Sequence, residues 1–206
     1  MMDRMPRRHF VAAVSVALPL IGCSLLPTPH QPRIYRLNPT LNPAGPAIRG
    51  KLTIASPTAP LSLDTSRIAV TRGPTRFDYF ADSVWTDRLP ALLQTLLLEA
   101  FESSGRVPDV EADTGGLTTQ GTTLHTDIRQ FEARYADLES HHAEVIVALD
   151  LRLGVAPEDK QIGRTLIGQR VAATQNGMDA IVTAFDGATA AVLRQTVEWT
   201  LSQMAR

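Results

Sequence analysis

A thiol is the most reactive side chain in this sequence, and Cys23 is the only cysteine among its 206 residues. Alone it has no disulfide partner, so its simplest use is covalent modification. Histidine is the next candidate. His141 and His142 stand side by side with Glu139 and Glu144 close by, a set that could hold a metal. Adjacent residues of an extended chain point to opposite sides, however, and no other His or Cys has the spacing to complete a ligand set. A solvated turn is the plainer reading. His125 precedes Asp127 and Arg129 at spacings of two, so on a strand the three share a face and the neighbours can satisfy the imidazole by hydrogen bonding. A triad would also need a nucleophile, and Ser103-Ser104-Gly105 lacks the glycine-flanked elbow of hydrolases. Gly115-Gly116 has neither the lysine nor the following helix of a phosphate-binding loop. These residues predict no catalytic site, no metal and no cofactor.

Cys23 sits at an informative place. Arg4, Arg7 and Arg8 lead into an apolar or small-residue run, Phe10 to Gly22, which has the layout of a signal peptide. The run is well short of the ~20 residues that a bilayer span requires. It ends in Leu20-Ile21-Gly22-Cys23, which resembles the lipobox recognised by lipoprotein signal peptidase. Residues 1–22 are therefore expected to be a lipoprotein signal peptide, and Cys23 the lipidation site, carrying thioether-linked lipid and fatty acid such as palmitate. Arg7-Arg8-His9-Phe10-Val11 looks like a twin-arginine motif, leaving that route and general secretion both open. Ser24 stands where, in the lipoproteins resembled, an aspartate favours inner-membrane retention. The expected address is the outer membrane, lipid-anchored and facing the periplasm.

Loss of residues 1–22 removes three basic and one acidic side chain from totals of 20 and 21, leaving a formal charge of −3. That balance offers nothing to nucleic acid. The remaining length suits one domain. Residues 23–32, with Pro27, Pro29 and Pro32, read as the acylated cysteine and a flexible tether, and residues 33–206 as the domain.

Within the domain, short strands are predicted at Ile34–Leu37, Lys51–Ala55, Ile68–Thr71 and Arg76–Phe80. A helix is predicted over Arg88–Ser103, capped by Asp87 and closed by Gly105, because Leu89, Leu92, Leu93, Leu96, Leu97, Ala100 and Phe101 recur at helical spacing. Three long strands follow at Thr122–Tyr135, Ala143–Val155 and Gln161–Ala173. In the middle one, Val145, Val147, Leu149, Leu151 and Leu153 form one apolar face. Turns at Glu139–His142 and Pro157–Lys160 suit an antiparallel meander. A terminal helix is predicted over Met178–Met204. The expected class is α+β, an antiparallel sheet with two main helices on one face as a two-layer sandwich. Asp109, Glu111 and Asp113 alternate along a segment read as a solvated edge, or else as an acidic docking strip.

Taken in order, the lipobox, Tyr35-Arg36-Leu37, Ile68-Ala69-Val70, Tyr79, Trp85-Thr86-Asp87-Arg88-Leu89-Pro90, Ser104-Gly105 and the Leu124–Tyr135 strand with Asp127, Phe131 and Tyr135 resemble the ABC-type transport auxiliary lipoprotein family, whose members include paraquat-inducible protein C. The resemblance implies a non-enzymatic component of a lipid-transport system that also contains an ABC ATPase, a permease and an MCE-domain protein. It implies docking or scaffolding at the outer membrane and a ring-like homo-oligomer. The alternative is a periplasmic carrier that holds an acyl chain itself. The segment Asp109–Gly121 is longer than the family pattern.

Overall fold

The computed structural model describes residues 31–41, 45–113, 115 and 120–206. Cys23, the expected signal peptide and all of the expected tether before residue 31 lie outside the described residues. The elements in chain order are β1 (Arg33–Tyr35), β2 (Lys51–Ile54), β3 (Arg67–Arg72), β4 (Arg76–Trp85), α1 (Leu89–Ser104), β5 (Asp109–Ala112), β6 (Thr122–Tyr135), β7 (Ala143–Val155), β8 (Lys160–Ala172) and α2 (Met178–Met204).

The three long strands form the expected meander, β6 antiparallel to β7 and β7 to β8. The rest of the sheet departs from expectation. β7 pairs along the whole of β6, so β2 and β3 share the opposite edge, both parallel to β6. β2 takes Thr122–Leu124 and β3 takes Glu132–Tyr135, with a single bridge from Thr58 to Asp127 between them. β5 then adds parallel to β2, β4 antiparallel to β3, and β1 parallel to β4. The α+β class holds, but the sheet is a mixed, curled half-barrel rather than one antiparallel layer of a simple sandwich. Its physical cause is that a strand as long as β6 offers an edge longer than any one short strand can cover. Two short ones divide it, and the right-handed twist carries their outer neighbours apart.

Local chemistry explains the smaller differences. Asp87 does not cap α1: its carboxylate accepts the Arg88 N–H at 2.6 Å, and Arg88 is the cap residue, without a side-chain hydrogen bond. Gly105 closes the helix at φ +59°, a conformation that a side chain would strain. β4 runs on to Trp85 through an irregularity at which Asp82 has φ +53°. The acidic segment is a true edge strand, β5, in which Glu111 meets Lys51 at 2.8 Å across β2.

All seven apolar residues of the α1 stripe are buried. On α2, Ile181, Phe185, Ala188 and Val192 are buried, together with Thr189, Thr196 and Thr200. Trp85 at the end of β4, Phe131 of β6 and Phe185 of α2 meet at centroid separations of 5.1 to 6.0 Å. Edge-to-face and stacked contacts of this kind add to the area that the rings bury. They occupy part of the space between α2 and the sheet.

Candidate functional site

On the sheet face turned away from the helices, β6, β7 and β8 alternate their polar residues outward, and register decides which charges meet. Asp127 lies directly opposite Asp150, and Arg152 opposite both His125 and Arg164. Like charges in such positions repel. The shift in pairing between Ile128 and Gln130 leaves Arg129 without a cross-strand partner, and its guanidinium turns to both carboxylates, at 2.8 Å from Asp127 and 2.9 Å from Asp150. Arg164 completes the arrangement with a two-point grip on Asp150, Nε to Oδ1 at 3.0 Å and Nη2 to Oδ2 at 2.7 Å. These hydrogen bonds, Arg164's first and then Arg129's, hold the Asp150 carboxyl well below the usual carboxylate range. The same bond raises Arg164.

His125 does not bond to Asp127 or Arg129, as its spacing suggested. Its Nε2 lies 3.1 Å from Oδ1 of Asp159, in the β7–β8 turn, and Arg152 donates to the other oxygen at 2.7 Å. Burial pushes the Asp159 carboxyl up, but the bonds from Arg152 and His125 outweigh it and the net displacement is downward. Gly154 makes this possible: a Cβ there would lie 1.8 Å from Asp159 Oδ1. Further along the face, Glu132 accepts from Thr71 at 2.7 Å and Arg134 at 2.6 Å, and Glu144 meets Arg170 at 3.1 Å.

A cavity of about 350 Å³ opens where β2 and β3 part along β6, bordered by Ser56, Thr58, His125, Asp127, Arg129 and Arg164. The His125 ring bonds to Asp159, and among the described residues no bond joins it to a hydroxyl. What this face can do chemically is exchange ionic partners: Arg164 is 60% exposed, so an incoming carboxylate or phosphate can reach it. His141 and His142 are exposed in the β6–β7 loop. Among the described residues, no three His, Cys, Asp or Glu side chains gather as a metal-binding group. No helix among them is long and apolar enough to cross a membrane.

Two further contacts fix the ends of the chain's first section. Arg106, nearly buried, donates to Glu198 of α2 at 2.5 Å and to the Pro46 carbonyl at 3.1 Å. Just after β1, Asp186 of α2 accepts the Asn38 N–H at 2.8 Å. Burial raises the Asp186 carboxyl and that N–H partly offsets it. Sequence reasoning found His125, Asp127 and Arg129, but missed Asp150, Arg152, Asp159 and Arg164. Only cross-strand register brings those together.

A family model described as "ABC-type transport auxiliary lipoprotein component" matches residues 35–197. An uncharacterized protein of Bradyrhizobium diazoefficiens is 27% identical over 169 residues, 78% of this chain, and the chain spans 42% of that relative's length. A crystal structure from Xanthomonas campestris, of the DUF330 family, superposes with a TM-score of 0.75 at 24% identity, covering 84% of this chain and 97% of that one. A second, of an uncharacterized protein, gives 0.63 at 14% identity over 82% and 99%. The two structures speak for the fold alone.

Proposed function

This chain belongs to the family of ABC-type transport auxiliary lipoproteins, and from that premise we propose that it serves an intermembrane lipid transporter as an anchored docking component. Residues 1–22 direct export and are removed, Cys23 is acylated, residues 23–32 form the tether, and the domain from residue 33 faces the periplasm from the outer membrane. Its partner is the MCE-domain protein of the system, and through it the permease and ATPase. Copies of the chain assemble as a ring. The role is recognition rather than catalysis.

The observation that supports docking over carriage is the packing of Trp85, Phe131 and Phe185. A carrier needs an apolar void between helices and sheet, and here rings in contact occupy the space around Phe185. The outward face, by contrast, presents paired but reachable charges, which suit specific and reversible recognition of a partner.

The test uses wild type and Cys23→Ala side by side. Wild type is expected to incorporate a fatty-acid analogue and restore envelope integrity in a deletion strain. Cys23→Ala is expected to do neither, while the domain still retains the MCE-domain protein on a column. Equal labelling of both forms would remove the lipoprotein assignment of Cys23. A stoichiometric phospholipid in a native mass spectrum of the protein would favour the carrier instead.

A further inference from the structure

We infer that one end of the half-barrel, formed by the β3–β4 turn and the β6–β7 loop, rests on the lipid surface, with Phe77 and Leu138 seated among the headgroups. The inference rests on the proposed acylation of Cys23 and adds to it an orientation and a contact surface.

The direction of β1 is the first ground. β1 runs parallel to β4, with Arg33 beside Ser83 and Tyr35 beside Trp85. β4 itself starts at Arg76, immediately after the β3–β4 turn. The chain thus comes into the sheet from the side of that turn. About seven residues of β4 separate Ser83 from Arg76, or ~23 Å at ~3.3 Å per residue. The nine residues Ser24 to Pro32 reach at most about 30 Å when extended at ~3.1 Å per residue. The level of the turn therefore lies within the reach of the acylated Cys23. The β7–β8 turn lies at the far end of the long strands, β6 alone spanning ~45 Å at that rise.

The second ground is what this end exposes. Leu138, at the tip of the β6–β7 loop, is 64% exposed, and Phe77, beside the turn, 40%. Between loop and turn lies a cavity of about 480 Å³ whose lining includes Arg72, Pro74, Arg76 and Leu138. The two pieces are tied together: the Gly73 N–H donates to the Tyr135 carbonyl at 3.1 Å, and the Arg72 guanidinium lies 4.3 Å over the Tyr135 ring. Guanidinium groups beside Pro74, Ala136 and Leu138 match a phospholipid, which presents phosphate beside hydrocarbon. Asp137 and Glu139 flank Leu138 and offset the two arginines, so charge does not drive the contact and seating is shallow. A weak apolar contact suffices once an anchor holds it at high effective concentration.

The experiment exploits the single, acylated cysteine. Leu138→Cys and Phe77→Cys each introduce one reactive thiol for an environment-sensitive fluorophore, and Glu158→Cys places the same probe on the exposed β7–β8 turn. The labelled lipidated proteins are set in vesicles of phosphatidylethanolamine and phosphatidylglycerol. Probes at 138 and 77 are expected to shift to the blue and lose quenching by aqueous iodide, while the probe at 158 stays fully quenchable. Equal quenching at all three positions, or protection at 158 alone, overturns the inference while leaving acylation intact. Labelling of the protein without any introduced cysteine shows a free Cys23, and the inference then falls with its premise.

Discussion

Phe185→Ala removes the ring that joins α2 to the sheet. Phe185 is fully buried, stacked on Phe131 and edge-to-face with Trp85, each at 5.1 Å. The substitution forfeits the transfer energy of the ring and leaves a void. A cavity on the order of 100 Å³ at about 24 cal/mol per Å³ costs about 2.4 kcal/mol, and measured Phe→Ala changes in cores total roughly 3–5 kcal/mol. Against a typical stability of ~5–15 kcal/mol the domain survives, weakened. Trp85 is itself only 2% exposed and in contact with the lost ring, so its fluorescence reports unfolding directly. With a slope near 2 kcal/mol per molar urea, the midpoint is expected to fall by about 2 M. A fall of a few tenths molar would mean that the rings do not fill this space, and the case against an acyl-binding interior would collapse with them.

Gly154→Ala is expected to expel the Asp159 carboxylate from His125 and Arg152. Because that pair is exposed, the loss should be at most about 1 kcal/mol. Carboxyl NMR should show Asp159 returning upward toward its ordinary range, and an unmoved signal would refute the steric reading. Asp150 has a depressed carboxyl in the folded state, so its stabilisation is complete above the ordinary aspartate value of ~4 and is lost as pH falls through the folded value. Asp150→Asn should therefore melt below wild type at pH 7, with the gap narrowing in acid; a gap independent of pH would count against it. Asp186 has the opposite sign. Its raised carboxyl favours the folded state most below ~4 and loses that contribution as pH rises through the folded value. Asp186→Asn keeps an oxygen for the Asn38 N–H, so it should melt above wild type at pH 7 and level with it in acid. A lower melting point at pH 7 would refute the burial penalty.

The sequence made some of this architecture legible and hid the rest for identifiable reasons. β7 could be read because five apolar residues alternate over its length, and α1 because seven recur at helical spacing; such patterns outlast local ambiguity. β1 was legible as a short strand, expected at Ile34–Leu37 and found at Arg33–Tyr35, whereas β5 has four residues, too few for any period, and is a strand because β2 offers it a partner. Parallel pairing was hidden for a similar reason. Nothing in Lys51–Ile54 or Arg67–Arg72 says that both will dock on one edge of β6. The ionic face was half visible. His125, Asp127 and Arg129 share a strand, but the shift at Arg129 changes which residues face one another, and a one-residue slip moves every later side chain to the other face. Asp159 reaches His125 only because Gly154 leaves room for it. That dependence joins residues on two strands and a turn.

On the proposed acylation of Cys23, β1, the shortest of the described strands, would be the first to carry load from the membrane. If the lipid stands at the level of the β3–β4 turn, as inferred above, tension on the tether would act back along the axis of β1. A strand pulled along its own axis must slide, and sliding strains its backbone hydrogen bonds together. One pulled sideways peels, losing them one at a time. For a pull in that direction, the register of Arg33–Tyr35 beside Ser83–Trp85 would be the load-resistant one. Two contacts lie behind it: Leu37, only 3% exposed, and the Asn38 N–H held by Asp186. An anchor at the opposite end would reverse the pull and turn β1 outward at Arg33, concentrating the strain on its first hydrogen bond. On the proposed anchoring, a three-residue strand would hold a tethered domain only if all of it resisted at once, which the parallel orientation of β1 and the buried Leu37 after it favour.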